Sequence, residues 1–441
     1  MIQQTVFPFK LESTGENLTA HGGLALLGEF NQAVGLRDLV KQHLPRPGSN
    51  RGYKPWVYVN SLVSMLQGGG EGLEDLRDLE REKALFMMLG QKAVPDPGTS
   101  GDWLRRMGDP ARGQRGLSGL DRVRSILLAR LLSQEGRQDF TLDADATQIE
   151  SWKRDAAFTY QGVKGYMPML GYLSEVSLCV YDEFREGNVS PGSGQLAFYE
   201  SCKSRMPSSK RIARYRADSA SYCSDLVNRL DTDHVFWTIT APQDTAVQAV
   251  IASIPESAWQ EPELGAGFEL AESVHSMEET KKAFRLIVKR EQRRQDDLFS
   301  ERGGGYFYHA VATNWVSEEK DAYQVLQWHN QRGQAENYHK ELKIGFGMER
   351  MPCGESYANA VYLRIGVIAY NLFVGFKRLS GPRSWLSHTI ATFRWKLIQT
   401  AGRIVRHAGQ VFLKLAVDAK RLRLFQEIRS KTFVLAQQYT G

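Results

Sequence analysis

Between Arg137 and Ser151 the hydrophobic pattern of the chain changes period. In "RQDFTLDADATQIES", Phe140, Leu142 and Ala144 alternate with Thr141, Asp143 and Asp145, the period of two that marks a strand. Upstream, residues 1–135 read as helices. "GGLALLGEFNQAVGLRDLVKQHL" spaces Leu27, Phe30, Val34 and Leu39 for a helix that stops at Pro45 and Pro47. "PWVYVNSLVSMLQGGG" opens on Pro55 and closes on glycines, and "RVRSILLARLL" follows the turn "VPDPGTSGD". Downstream, "YMPMLGYLSE" and "EVSLCVYDEFRE" are strand-like, "SGQLAFYESCKSRM" helical, "KRIARYRADSAS" a strand, "SYCSDLVNRL" a helix and "DHVFWTIT" a strand. That order predicts a mixed α/β sheet whose first three strands form a meander.

After Pro242 the pattern loosens. Residues 243–318 hold the Pro/Gly-rich "SIPESAWQEPELGAGFEL", the strand-like "KAFRLIVKR", a charged turn and the strand-like "GGGYFYHAVATN". They read as an insertion with its own β structure. Helical spacing resumes at Glu318 and runs to about Lys343, "YANAVYLRIGVIAYNLFVGFKRL" is a more apolar helix, and "RWKLIQTAGRIVRHAGQVFLKLAV" alternates as a β-hairpin would. The predicted organisation is a helical part (1–135), a sheet in two pieces (136–242 and 319–380) around a β-rich insertion (243–318), and a basic C-terminal region (381–441).

No run of about 18 apolar residues occurs. The best candidate, Ile365 to Phe376, is short and contains Asn371, so a buried helix is expected there rather than a membrane span. The N-terminus has no signal-peptide pattern. Four scattered cysteines without C-x-x-C pairing suit free thiols in a reducing cytoplasm. Charge is unevenly spread. From His329 onward 18 Lys and Arg face 6 Asp and Glu, a net of +12, which leaves −6 for the first 328 residues of a chain whose total is +6. A basic C-terminal quarter of this kind is a footprint for nucleic acid.

Three carboxylates stand where element ends meet. Asp145, with Asp143 beside it, lies on the first strand; Asp218 ends a later strand in "RADS"; Glu336 lies on a helix far downstream. Asp143 and Asp145 point to one side of their strand, which is costly in a buried sheet unless a cation neutralises them, and carboxylate oxygens suit Mg²⁺. From Asp218 to Glu336 is 118 positions. The elements needed to return to the sheet leave roughly 70 residues too many for a loop, so the surplus should be structured.

In "WHNQRGQAENYHKELKIGFGMER", helical spacing puts His329, Arg332, Glu336, Lys340 and Lys343 on one face. If Glu336 binds a metal that touches a scissile phosphate, these neighbours can grip the flanking phosphates. Read alone, the stripe favours an i,i+4 salt-bridge ladder, Arg332–Glu336–Lys340, worth about 0.3–0.5 kcal/mol per pair. Glu341, about 140° round the helix from Glu336, should be an ordinary surface residue. Trp237 and Trp328 could stack a displaced base, or be core aromatics.

These motifs resemble the DDE-type insertion-sequence transposases, and more narrowly the bacterial insertion-sequence group numbered thirteen-eighty, with a Y-x2-R-x3-E-x6-K third motif. "LDADAT" matches the first Asp, "RADS" the second, and Arg332-x3-Glu336-x6-Lys343 the third motif; "GGLALL" and the basic tail match as well. The departure is His329, where the signature has tyrosine. The resemblance implies an RNase H-like catalytic core interrupted by a β-rich insertion and preceded by a helical N-terminal domain assigned to DNA-end binding. Asp145, Asp218 and Glu336 would be the catalytic carboxylates and ligands of two Mg²⁺ ions, with Mn²⁺ as a substitute. The family pattern of Asp before x-Thr selects Asp145, and Asp143 stays as a second choice or supporting residue. Arg332, Lys343, Lys340 and His329 would bind DNA phosphate. Implied too are double-stranded DNA partners (terminal inverted repeats and target), a homodimer on DNA, no membrane, and a bacterial cytoplasmic, nucleoid-associated location. Two rivals share residues with this reading. "LDADAT" fits D-x-D-x-T of haloacid-dehalogenase-like phosphatases, with Asp143 as nucleophile, and a catalytically inactive DNA-binding protein would keep the charge without the chemistry.

Overall fold

The structure, a computed structural model, describes residues 10–48, 52–292 and 305–439. Eight strands form its central sheet: β1 (Asp139–Ala146), β2 (Met169–Leu173), β3 (Leu178–Glu183), β4 (Arg211–Ala217), β5 (Phe236–Ala241), β6 (Glu269–His275), β7 (Phe284–Gln292) and β8 (Tyr306–Thr313). Their order across the sheet is β6-β7-β8-β5-β4-β1-β2-β3. β1 takes a middle position because both its faces are covered: Phe140, Leu142 and Ala144 are buried on one side, Thr141 and Asp143 on the other. The meander β1-β2-β3 is antiparallel, as the sequence predicts. β4 and β5 are reached by the crossover helices Gln195–Ser204 and Ser224–Thr232 and run parallel to β1.

The strands expected in a separate insertion join this same sheet. β8 pairs antiparallel with β5, and β7 and β6 extend the edge. Their far face carries a satellite core of Leu270, Ile287, Val311, Trp315, Val325 and Leu326, which seats the helix Ala322–Asn330. Most of the charged turn expected between the last two strand-like runs lies outside the described residues.

The helical parts are not separate either. One contiguous apolar core runs from Leu24 through the sheet to Leu435. Its axis is the helix Ser356–Leu379, buried at every residue from Ala358 to Lys377. This helix is long and apolar enough to cross a membrane, yet protein surrounds it. Its Asn371 side chain accepts from Cys179 N–H and donates to Cys179 C=O, both at 2.8 Å, and so satisfies backbone groups on the edge strand β3. At Gly108 the helix Pro97–Gly108 crosses it so closely that a Cβ would stand 2.1 Å from Tyr357 O. The first predicted helix is two, Leu24–Ala33 and Leu36–His43, parted at Gly35 with φ +81°. The basic tail forms the expected hairpin, Gly402–His407 and Gln410–Leu415. A helix the sequence reading did not resolve, Ala419–Tyr439, follows and packs on Leu24–Ala33, with Arg429 held to Glu29.

Candidate active site

The register of β1 against β4 positions the first two carboxylates. Asp143 lies opposite Arg216 and Ala144 opposite Ala217, so Asp145 and Asp218 follow side by side at the C-terminal ends of adjacent parallel strands. Side chains alternate, so both share the face of the Asp143–Arg216 pair. Asp218 caps the turn Ser219–Ser221 by accepting from Ala220 N–H at 3.0 Å. Open α/β sheets place their reactive groups at such strand ends.

Glu336 comes from the helix Gly333–Lys340, which buries Ala335 and His339 and leaves Glu336 exposed. Burial, the Asp218 carboxylate and, further down, Glu336 together push the Asp145 carboxyl up to about 7, against the pull of Arg332. The nearest nitrogens are held loosely, and of the two only Arg332 is a cation at neutral pH. Arg332 Nη1 and His339 Nε2 each lie 3.7 Å from Asp145 Oδ2. Both ring nitrogens of His339 are buried without a hydrogen-bond partner among the described residues, and burial holds the ring down to about 4. Sequence reasoning missed His339, although its place seven residues after Arg332 puts it on the Arg332 side of the segment.

The donor chemistry fits a hard divalent cation: the Asp145 and Asp218 carboxylates share one face, with negative charge in surplus around a half-buried Asp145. Among the described residues, no three His, Cys, Asp or Glu side chains are gathered tightly enough to hold an ion. Asp218 and Glu336 each act on Asp145 electrostatically, but the three carboxylates do not share a point.

Asp143 does not belong to that donor set. It is fully buried, and its oxygens accept from Arg216 Nε at 2.7 Å and Nη2 at 2.9 Å. The same pairing closes Asp143 to a substrate phosphate, so it is in no position to be the nucleophile of a phosphatase. Arg216 also donates to Ser174 Oγ at 2.7 Å and to Trp328 C=O at 2.9 Å, and stacks on the Trp328 ring at 4.7 Å. One guanidinium thus ties β4 to β1, to the β2–β3 turn and to the helix that precedes Glu336.

The expected cationic face is broken. Helix Ala322–Asn330 ends at Gln331, and a new helix starts after Arg332, so His329 does not share the Glu336 face. His329 turns into the sheet, where its nitrogens meet Thr238 Oγ1 at 2.8 Å and Thr240 Oγ1 at 3.0 Å and burial drives the ring down to about 3. Buried and bonded on both sides, it is not available to a DNA phosphate. Arg332 stays partly exposed beside Asp145, Lys340 is exposed, and Lys343 donates to Gln148 C=O at 2.6 Å. Glu341 is not ordinary: it is half-buried and accepts from Ile390 N–H. Trp237 is a fully buried core aromatic, and Trp328 is a partly buried one that packs on Trp315 at 4.5 Å against the satellite core and under Arg216.

Fold and geometry together bring Asp145 and Asp218 to adjacent strand ends of a large mixed sheet, with Glu336 on a nearby helix. The chain belongs to the family described as transposase DDE domain group 1, whose model matches residues 5–436. Among solved structures, a piggyBac transposase synaptic complex with hairpin DNA aligns over 95% of this chain and 82% of that one, at 11% identity and a TM-score of 0.41. No curated protein matches the chain.

Proposed function

We propose that this chain is the transposase of a bacterial insertion sequence of the group numbered thirteen-eighty, built on an RNase H-like core with β6–β8 as its insertion. It binds the terminal inverted repeats as a homodimer, cuts the ends and joins them to target DNA. The observation that carries this reading is the β1/β4 register, which sets Asp145 beside Asp218, with Glu336 near enough to raise the Asp145 carboxyl further.

In this reading Asp145, Asp218 and Glu336 hold the divalent ions. When bound, Mg²⁺ supplies the charge that activates the attacking hydroxyl and stabilises the leaving oxygen of an in-line displacement at phosphorus. The protein's own part is positioning. Arg332 and Lys343 flank Asp145 and its following segment, where a fork and a point charge would grip the phosphates on either side of the scissile one. Lys340 adds charge to the same helix. The N-terminal helices are assigned to end recognition.

The test is incubation of the purified protein with a DNA fragment carrying the element's two ends, in Mg²⁺ or in EDTA. Cleavage at the ends and joining to target DNA are expected in Mg²⁺ alone. Binding without cleavage in Mg²⁺ or Mn²⁺ would instead mark an inactive DNA-binding protein.

A further inference from the structure

Away from the carboxylates, the N-terminal helices enclose a cleft of about 790 Å³ where the segments around Pro45 and Tyr53 pass over helices Pro97–Gly108 and Arg115–Leu132. Arg46, Arg106, Arg112 and Arg115 line it, no Asp or Glu does among the described residues, and none of those lining it belongs to the candidate active site. All four arginines are exposed. Among the described residues, only Arg112 has a carboxylate partner, Asp109 at 3.3 Å. Tyr53, 40% exposed, adds a phenol to the rim.

The concentration is local, since residues 1–135 as a whole carry 17 Lys and Arg against 15 Asp and Glu, a net of only +2. Three of these like charges, Arg46, Arg106 and Arg115, have no carboxylate partner among the described residues, and the cost of their mutual repulsion is relieved when anions enter the cleft. Several guanidinium forks spread along an open cleft suit a row of phosphates better than a single one. We propose that this cleft grips the phosphate backbone of duplex DNA at a distance from the reacting bond. The proposal rests on the transposase reading and gives its DNA-end-binding part a surface.

Fluorescence anisotropy with a labelled duplex of mixed sequence, across a salt series, tests it. Each phosphate contact contributes about 0.9 to the slope of log affinity against log salt. The variant Arg46→Gln/Arg106→Gln/Arg115→Gln should therefore lose about 2–3 from the slope of the wild type and bind at least about tenfold more weakly at low salt. Arg77→Gln/Arg81→Gln, arginines of the same helical part outside the cleft, should keep the full slope. The single Arg→Gln variants, each read separately, cover the case in which the triple variant does not fold. An unchanged slope in the folded variants overturns the proposal. So does inorganic pyrophosphate binding that the variants lose while their duplex affinity stays unchanged, which would mark a small-anion site. Failure of the wild type to bind any duplex, including the element's own ends, would instead overturn the transposase reading.

Discussion

Removing the Arg216 guanidinium leaves Asp143 buried without its partner, and the cost of an uncompensated buried charge is about 3–5 kcal/mol. Arg216→Met should be destabilised on that scale in denaturant unfolding. The double variant Asp143→Leu/Arg216→Met should recover most of the loss, because it removes both charges. If the double variant is as unstable as the single one, the ion pair is not what holds these elements. His329 makes a separate prediction. Its ring is held down to about 3 in the folded chain, whereas an unfolded histidine titrates near 6.5. Between those values the unfolded state binds a proton that the native state refuses, so stability falls as pH falls, by roughly 1.4 kcal/mol per pH unit at most. Unfolding of wild type and His329→Gln at pH 7 and pH 4.5 should show a shallower acid loss in the variant. An identical loss would mean that another group carries it. The departure at His329 was visible in the sequence, but its burial was not. Helical spacing assigned it a face that the break after Gln331 removes.

At the scale of elements, β1 to β5 could be read because each strand is short, alternates cleanly and ends at a turn, and the three carboxylates came out of that order. The partnership of β8 with β5 could not be read. Alternation says which face of a strand is buried and nothing about which edge it joins. The helix Ala419–Tyr439 buries Phe425, Ile428, Thr432 and Leu435 at steps of three and four, a helical spacing that was legible but masked by the many charged residues between them and by the polar Thr432. Two side chains tie elements together and can be tested. Asn371→Leu leaves the Cys179 N–H and C=O without their side-chain partner and should destabilise the chain by about 2–4 kcal/mol. A smaller change than about 1 kcal/mol would show that the β3 edge does not depend on it. Glu341→Ala frees the Ile390 N–H and should cost about 1–3 kcal/mol while leaving cleavage chemistry in place at low temperature. Loss of cleavage in a folded Glu341 variant would place that carboxylate in the reaction.

Across the whole molecule, one core links the N-terminal helices, the sheet and the C-terminal helix, so the candidate active site is set by register and packing that reach from Leu24 to Leu435. A long-range pairing such as β1 with β4 brings Asp145 and Asp218 together from 73 positions apart. Glu336 returns 118 positions later on the helix Gly333–Lys340, whose Tyr338 and His339 rings pack on Tyr172 of β2. The central claim is that these three carboxylates, and not Asp143, perform the reaction. Its most direct measurement is the rate of Mg²⁺-dependent cleavage at the element's ends by wild type, Asp145→Asn, Asp218→Asn, Glu336→Gln and Asp143→Asn, each checked for folding and DNA affinity. The first three variants should bind DNA as the wild type does and cleave at least about 10³-fold more slowly. Asp143→Asn should lose stability first and cleave measurably wherever it is folded. Near-normal cleavage by Glu336→Gln, or by Asp145→Asn, would contradict the account.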